Sequence, residues 1–107
     1  MVFFETPTFT RQITVLMADD EYAEFQAELV ERPKMGARIP GSGGLRKVRI
    51  AAKGHGKRGG ARIIYYWAVS GSRIFMLLAY AKKEQETLSK DQLRILRTLV
   101  KKEFEDG

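Results

Sequence analysis

Lysine, arginine and tyrosine are the side chains of this chain that are left to do chemistry, once the usual catalytic groups are eliminated. His55 is the only histidine and cysteine is absent. One chain therefore has no paired-imidazole dyad and no thiolate nucleophile. Glu84 and Glu86 are adjacent carboxylates, but one such pair on a turn is a poor acid–base constellation. Cations and phenols nonetheless suffice for cutting RNA, whose 2′-hydroxyl is a built-in nucleophile. A protein need only align that hydroxyl, neutralise the crowded phosphate and move protons. A guanidinium fork binds phosphate bidentately and keeps its charge, which suits arginine to the first two tasks. Lysines crowded by like charge and tyrosines are the remaining proton-transfer groups. DNA lacks the 2′-hydroxyl and is not cut by this route.

The cations are concentrated. From Arg32 through Lys83 the chain runs 52 residues with 13 lysines and arginines and no acid, while the other 55 residues hold all 13 acids and only 6 cations. The formal charge is thus +13 in the tract against −7 outside it. Such a field calls for a polyanion, and nucleic acid is the natural one.

The elements that position these groups follow from hydrophobic period and punctuation. Val2 to Thr6 is β-prone and stopped by Pro7. Phe9 to Met17 has helical spacing, and a second helix starts at Asp19 or Asp20 as its cap, carries Tyr22, Phe25 and Leu29 inward, and is stopped by Pro33. Pro40 to Gly44 is a loop by composition. Leu45 to Ala52 alternates, with Val48 and Ile50 on one side and Lys47 and Arg49 on the other, as in a half-buried strand with a cationic face. Ala61 to Val69 and Arg73 to Ala81 are further strands around a Ser70-Gly71-Ser72 turn, and the second is apolar enough to be central. Ser89 and Gln92 form a capping box, flanked by a Leu88–Leu93 staple, for a last helix with Leu96, Val100 and Phe104 on its stripe. The sequence therefore predicts an α+β fold, a small, mostly antiparallel sheet with helices packed on one face, in the order β-α-α-β-β-β-α.

Between two of the strands lies Lys53-Gly54-His55-Gly56-Lys57-Arg58-Gly59-Gly60. It contains Gly-x-Gly-x-x-Gly, but a strand and not a helix follows, so the dinucleotide fingerprint does not apply. Arg58 after Lys57 rules out a phosphate-binding Walker loop. An RNA-recognition signature also fails, since Gly60 and Arg62 stand where stacking aromatics belong. The loop's Lys53, Lys57 and Arg58 are instead read as RNA-binding cations.

With 107 residues the chain predicts one domain, 1–107, with a single core. It has no apolar run of membrane-spanning length, and its start lacks the features of a secretory signal. A cytoplasmic protein without membrane contact, cofactor or metal is expected.

Two strings carry a family resemblance: Gly43-Gly44-Leu45-Arg46-Lys47-Val48-Arg49, and Gly54-x-Gly56-Lys57-Arg58-Gly59-Gly60-Ala61-Arg62-Ile63-Ile64-Tyr65-Tyr66. With Tyr80-x-Lys82-x-Glu84 and Leu88 beyond them, they resemble the RelE/HigB toxins of bacterial type II toxin–antitoxin pairs, the HigB-like branch in particular. The resemblance implies a ribosome-dependent messenger-RNA endonuclease that enters the A site, contacts message and ribosomal RNA, and is neutralised by a cognate helix-turn-helix antitoxin. Operator DNA would be met only through that antitoxin. By position, Lys47, Arg49 and Arg62 correspond to the family's basic strand residues, and Lys82 or Lys83 to its basic pair after the last strand. Some members carry a tyrosine about six residues past that pair. This chain has Leu88-Ser89-Lys90 there, which leaves the role to Tyr80 or a lysine.

The expected site is then Lys47, Arg49, Arg62, Tyr80, Lys82 and Lys83 at the scissile bond, with Arg46, Lys53, Lys57 and Arg58 holding more of the RNA. A gyrase-inhibiting toxin of the same fold and a non-catalytic, basic RNA-binding module are the rival readings.

Overall fold

The computed structural model describes residues 1–51, 60–68 and 72–105, with backbone alone at 104 and 105. Strand β1 (Val2–Glu5) leads into α1 (Pro7–Leu16) and α2 (Asp19–Glu31). Strands β2 (Ala37–Arg38), β3 (Arg46–Ile50), β4 (Ala61–Ala68) and β5 (Arg73–Ala81) follow, and α3 (Lys90–Val100) continues into a π-helical turn at Lys101–Glu105. None of the described helices is long and apolar enough to cross a membrane.

Proline does not delay α1; it opens it. Pro7 sits in the first turn, where its missing N–H would have had no partner. The Thr6 hydroxyl accepts the Phe9 N–H at 3.0 Å and donates to the Leu77 carbonyl at 2.9 Å, so one side chain caps α1 and ties it to β5. Helix α2 starts after Ala18, which has no capping side chain. Neither Asp19 nor Asp20 is the cap; both lie in the first turn, where they meet the helix dipole. The Glu21 carboxylate accepts the Ala18 N–H at 2.9 Å. The capping box of α3 forms as read, with Gln92 N–H on the Ser89 hydroxyl and Ser89 N–H on the Gln92 side chain, both at 3.0 Å.

The strands form one sheet in the order β1-β5-β4-β3-β2, parallel between β1 and β5 and antiparallel elsewhere. The two-residue β2 has no counterpart in the sequence reading. It pairs Ala37 with Lys47 and Arg38 with Arg46. Gly36 precedes it at φ 72°, and a Cβ there would stand 2.2 Å from the Lys47 carbonyl oxygen, so only glycine lets the chain pass this close to β3.

The class is α+β, with a mixed five-stranded sheet and three α-helices. The helices are shared between both faces of the sheet and not gathered on one. Phe9, Ile13, Leu16, Phe25 and Leu29 of α1 and α2 pack on Val48, Ile63, Tyr65, Ile74 and Met76. Leu96 and Val100 of α3 pack on Leu45, Ile64, Leu77, Leu78 and Tyr80 of the other face. The reason is visible in Ile63-Ile64-Tyr65-Tyr66: a strand apolar at every position needs cover on both sides. A bulge adds to this. Ile64 pairs with Leu78 but Tyr65 with Met76, so the intervening Leu77 is extra and joins Leu78 beneath α3.

Candidate functional site

Pairing across the three central strands builds the site. Arg49 lies opposite Arg62, and Arg62 opposite Tyr80, so the three form one row on the α3 face. One step along, Lys47 pairs with Ile64 and Ile64 with Leu78, which puts Lys47 on the same face. Directly opposed residues hold their Cβ atoms about 5 Å apart, and like charges so placed repel. Two arginines at opposed positions of adjacent strands are an unfavourable pairing that a bound anion would offset.

The row is graded in burial. Arg49 is exposed, Lys47 is half-buried, Arg62 is 3% exposed and Tyr80 is 4% exposed. The Tyr80 hydroxyl is buried and has no hydrogen-bond partner among the described residues. Leaving such a group unpaired costs about 1–3 kcal/mol, which is tolerated where a ligand completes the bond. Burial pushes the Tyr80 phenol above its ordinary pKa; the nearby Arg62 charge pulls it down and Glu86 pushes it up. At neutral pH it is therefore a neutral phenol, a hydrogen-bond and proton donor and not a tyrosinate base.

Lys82 and Lys83 are exposed on the turn after β5, which is closed by the Glu84 N–H on the Ala81 carbonyl at 3.0 Å. The Lys82 N–H donates to the Gly60 carbonyl at 3.3 Å, and that glycine lies two residues before Arg62. The turn is thus held beside the start of β4. Gly60 itself has φ 67°, and a Cβ on it would stand 2.0 Å from the Ile50 carbonyl oxygen. Glycine at this position is required by the approach of β3 to β4.

Six of the ten anticipated residues, Lys47, Arg49, Arg62, Tyr80, Lys82 and Lys83, are brought to one end and one face of the sheet or to the turn beside it. Arg46 is not. It pairs with Tyr65 on the face covered by α1 and α2, and its guanidinium donates to the Lys34 carbonyl at 2.9 Å and to that of Met35 at 3.4 Å. Period-2 alternation already put Arg46 opposite in sense to Lys47 and Arg49. The structure therefore gives Arg46 a backbone-bracing position away from the row. Lys53, Lys57 and Arg58 lie outside the described residues.

Two features went unread. Glu86, set aside as half of a weak carboxylate pair, is near enough to act on the Tyr80 phenol. Lys90, Arg94, Arg97 and Lys101 line a groove beside α3, although the surrounding acids hid them in a charge count by segment. A second buried polar atom, the Trp67 indole nitrogen on the α1–α2 face, also lacks a partner among the described residues. Among those residues no group of three or more carboxylates or imidazoles is placed to hold a metal ion.

An α+β fold that sets two arginines opposite each other across two strands, beside a neutral buried phenol, is a small protein with a cationic row on one face of its sheet. The comparison with known families makes this specific. Residues 1–106 match the family described as the RelE toxin of the RelE/RelB toxin–antitoxin system. The chain belongs to the RelE toxin family. It is a toxin of a toxin–antitoxin pair, from a family whose members are generally translation-inhibiting endoribonucleases, and membership implies a cognate antitoxin.

Proposed function

We propose that this protein is an endonuclease for ribosome-bound messenger RNA, acting by attack of the 2′-hydroxyl on the adjacent phosphorus without a metal ion. The observation that supports it best is the Arg49–Arg62–Tyr80 row, with its buried arginine and a phenol that has no hydrogen-bond partner among the described residues. In this reading Arg49 and Arg62 hold the non-bridging oxygens and neutralise the charge that grows on them. The 2′-oxygen–phosphorus bond forms as the phosphorus–5′-oxygen bond breaks, leaving a 2′,3′-cyclic phosphate and a 5′-hydroxyl. The 2′-hydroxyl proton goes to water, and the departing 5′-oxygen takes one from the Tyr80 phenol or a lysine ammonium, which regains it from water. Tyr80, neutral and without a hydrogen-bond partner among the described residues, hydrogen-bonds the phosphoryl group or the departing 5′-oxygen. Lys47, Lys82 and Lys83 add positive charge around it. Lys53, Lys57 and Arg58 are proposed to grip flanking RNA.

The ribosome supplies the rest of the alignment, which is why so plain a set of side chains is enough. The site of action would then be the cytoplasmic A site, with message and ribosomal RNA in contact. The HigB-like strings support a helix-turn-helix antitoxin as the neutralising partner and, through it, operator DNA. Programmed ribosomes mixed with purified toxin test the reading. Cleavage within the A-site codon, with a cyclic phosphate on the new 3′ end, is expected. A single deoxynucleotide 5′ of the cut should abolish it. Intact all-ribose message, or equal cutting of the deoxy-substituted message, would overturn the proposal.

A further inference from the structure

Helix α3 has two unlike flanks. On one, Ile95 and Leu99 border apolar grooves shared with Phe4, Phe75 and Leu77. On the other, a groove of about 410 Å³ is lined by Gly41, Lys90, Leu93, Arg94, Arg97, Thr98 and Lys101. Four of those residues are cations and none is acidic. Positions 90, 94, 97 and 101 are four, three and four apart, so they stack along one side of the helix over about 16 Å.

We propose that this flank is a second RNA-binding track, which carries the message strand onward from the scissile phosphate. The proposal rests on the nuclease reading and adds to it where the strand lies. Three observations favour it. The groove's first cation, Lys90, opens α3 seven residues after Lys83, at the end of the turn that carries Lys82 and Lys83. Its far wall is backbone. Gly41 has φ 70°, nothing within 4 Å of where a Cβ would be, and its carbonyl takes an Arg97 Nη1–H at 3.3 Å. A strand of phosphates can therefore approach closely there. Lastly, Leu93 is the one large apolar residue in the lining. An amphipathic peptide needs several apolar anchors, which this flank lacks and the opposite flank has. The exposed Asp91–Arg94 pair, at 3.2 Å, is weak enough to yield Arg94 to a phosphate.

The test is anisotropy with non-cleavable 2′-O-methyl oligonucleotides of about three and about nine nucleotides. The variant combines Lys90→Gln, Arg94→Gln and Lys101→Gln, keeping Arg97 because of its bond to Gly41, and its folding is checked by thermal melting. Losing three single-strand phosphate contacts should weaken nonamer binding about 100-fold at 0.1 M salt and flatten the log–log salt slope by about 2. Trimer binding should stay as in the wild type. Should the triple variant fold poorly, each single substitution should cost about fivefold for the nonamer alone. Unchanged nonamer binding overturns the track. So does equal loss for both lengths, which would mean a general field. Loss of ribosome or acidic-peptide binding with nonamer affinity intact also overturns it, in favour of ribosomal RNA or a protein occupant. These outcomes leave A-site cleavage standing; its failure would sink the underlying nuclease reading instead.

Discussion

Both faces of the sheet carry an arginine and a tyrosine from β3, β4 or β5, and the two sets are used in opposite ways. On the α1–α2 face, Tyr65 is fully buried, and its hydroxyl lies 2.8 Å from both the Pro33 and the Met35 carbonyls. Arg46 beside it bonds the Lys34 and Met35 carbonyls, so both polar heads pin the corner between α2 and β2. On the α3 face, Tyr80 is equally enclosed but its hydroxyl is left without a partner among the described residues, while Arg49 stands exposed opposite the buried Arg62. On the first face the Tyr65 and Arg46 heads are satisfied and hold the fold, and the Trp67 indole nitrogen is the exception there. The second leaves the Tyr80 hydroxyl open among the described residues, as a binding surface does.

Substitutions sharpen that contrast. The largest effect is expected for Arg62→Ala, which should lower single-turnover cleavage on ribosomes by about 10²–10³, the cost of losing one stabiliser of transition-state charge. Arg62→Lys should recover only part, because it restores charge without the fork. Equal rates for wild type and alanine variant would make Arg62 structural.

The two tyrosines should separate next. Tyr80→Phe removes a hydroxyl that has no partner among the described residues, so its stability should hold or rise by about 1 kcal/mol while cleavage falls about 100-fold. Tyr65→Phe should do the reverse, losing about 1–3 kcal/mol with the rate per folded molecule unchanged. A smaller split is expected for the arginines. Arg49→Ala should reduce the salt slope of RNA binding by about 0.7 at near-constant stability, and Arg46→Ala should lower stability by about 1 kcal/mol and leave the slope alone. If Arg46→Ala lowers the slope as Arg49→Ala does, the division between faces is wrong.

Much of this division was legible before any coordinates. The capping box at Ser89, the cationic alternation of Lys47 and Arg49, and the order of elements all rest on local period and local hydrogen bonds. What was not legible depends on register. Nothing local says that Arg62 faces Arg49 and Tyr80, or that the Leu77 bulge puts two leucines beneath α3. Arg46 was grouped with its neighbours by charge, although strand alternation turns it to the other face. The cations of α3 were missed because Asp91, Glu103 and Glu105 balance them in a segment count, whereas helical spacing separates them in space.

The smallest effect is on pH. Burial raises the pKa of Tyr22, Tyr65 and Tyr80, with Glu5 adding to the shift at Tyr22. The folded state therefore holds these protons more tightly than the unfolded chain, whose tyrosines titrate near 10. Their contribution to stability is full below about pH 10 and is lost as pH rises beyond it, so the melting temperature should be flat across neutrality and fall only in alkali. A fall beginning near pH 8 would point to other groups.

The most direct test follows the arginine side chains themselves. In a titration of the ¹⁵N-labelled toxin with a non-cleavable 2′-O-methyl oligonucleotide, the Nε–Hε resonances of Arg49 and Arg62 should shift together and saturate at the same ligand concentration. That of Arg46 should stay in place. Movement of Arg46 with Arg49 and Arg62 at rest would contradict the account at its centre.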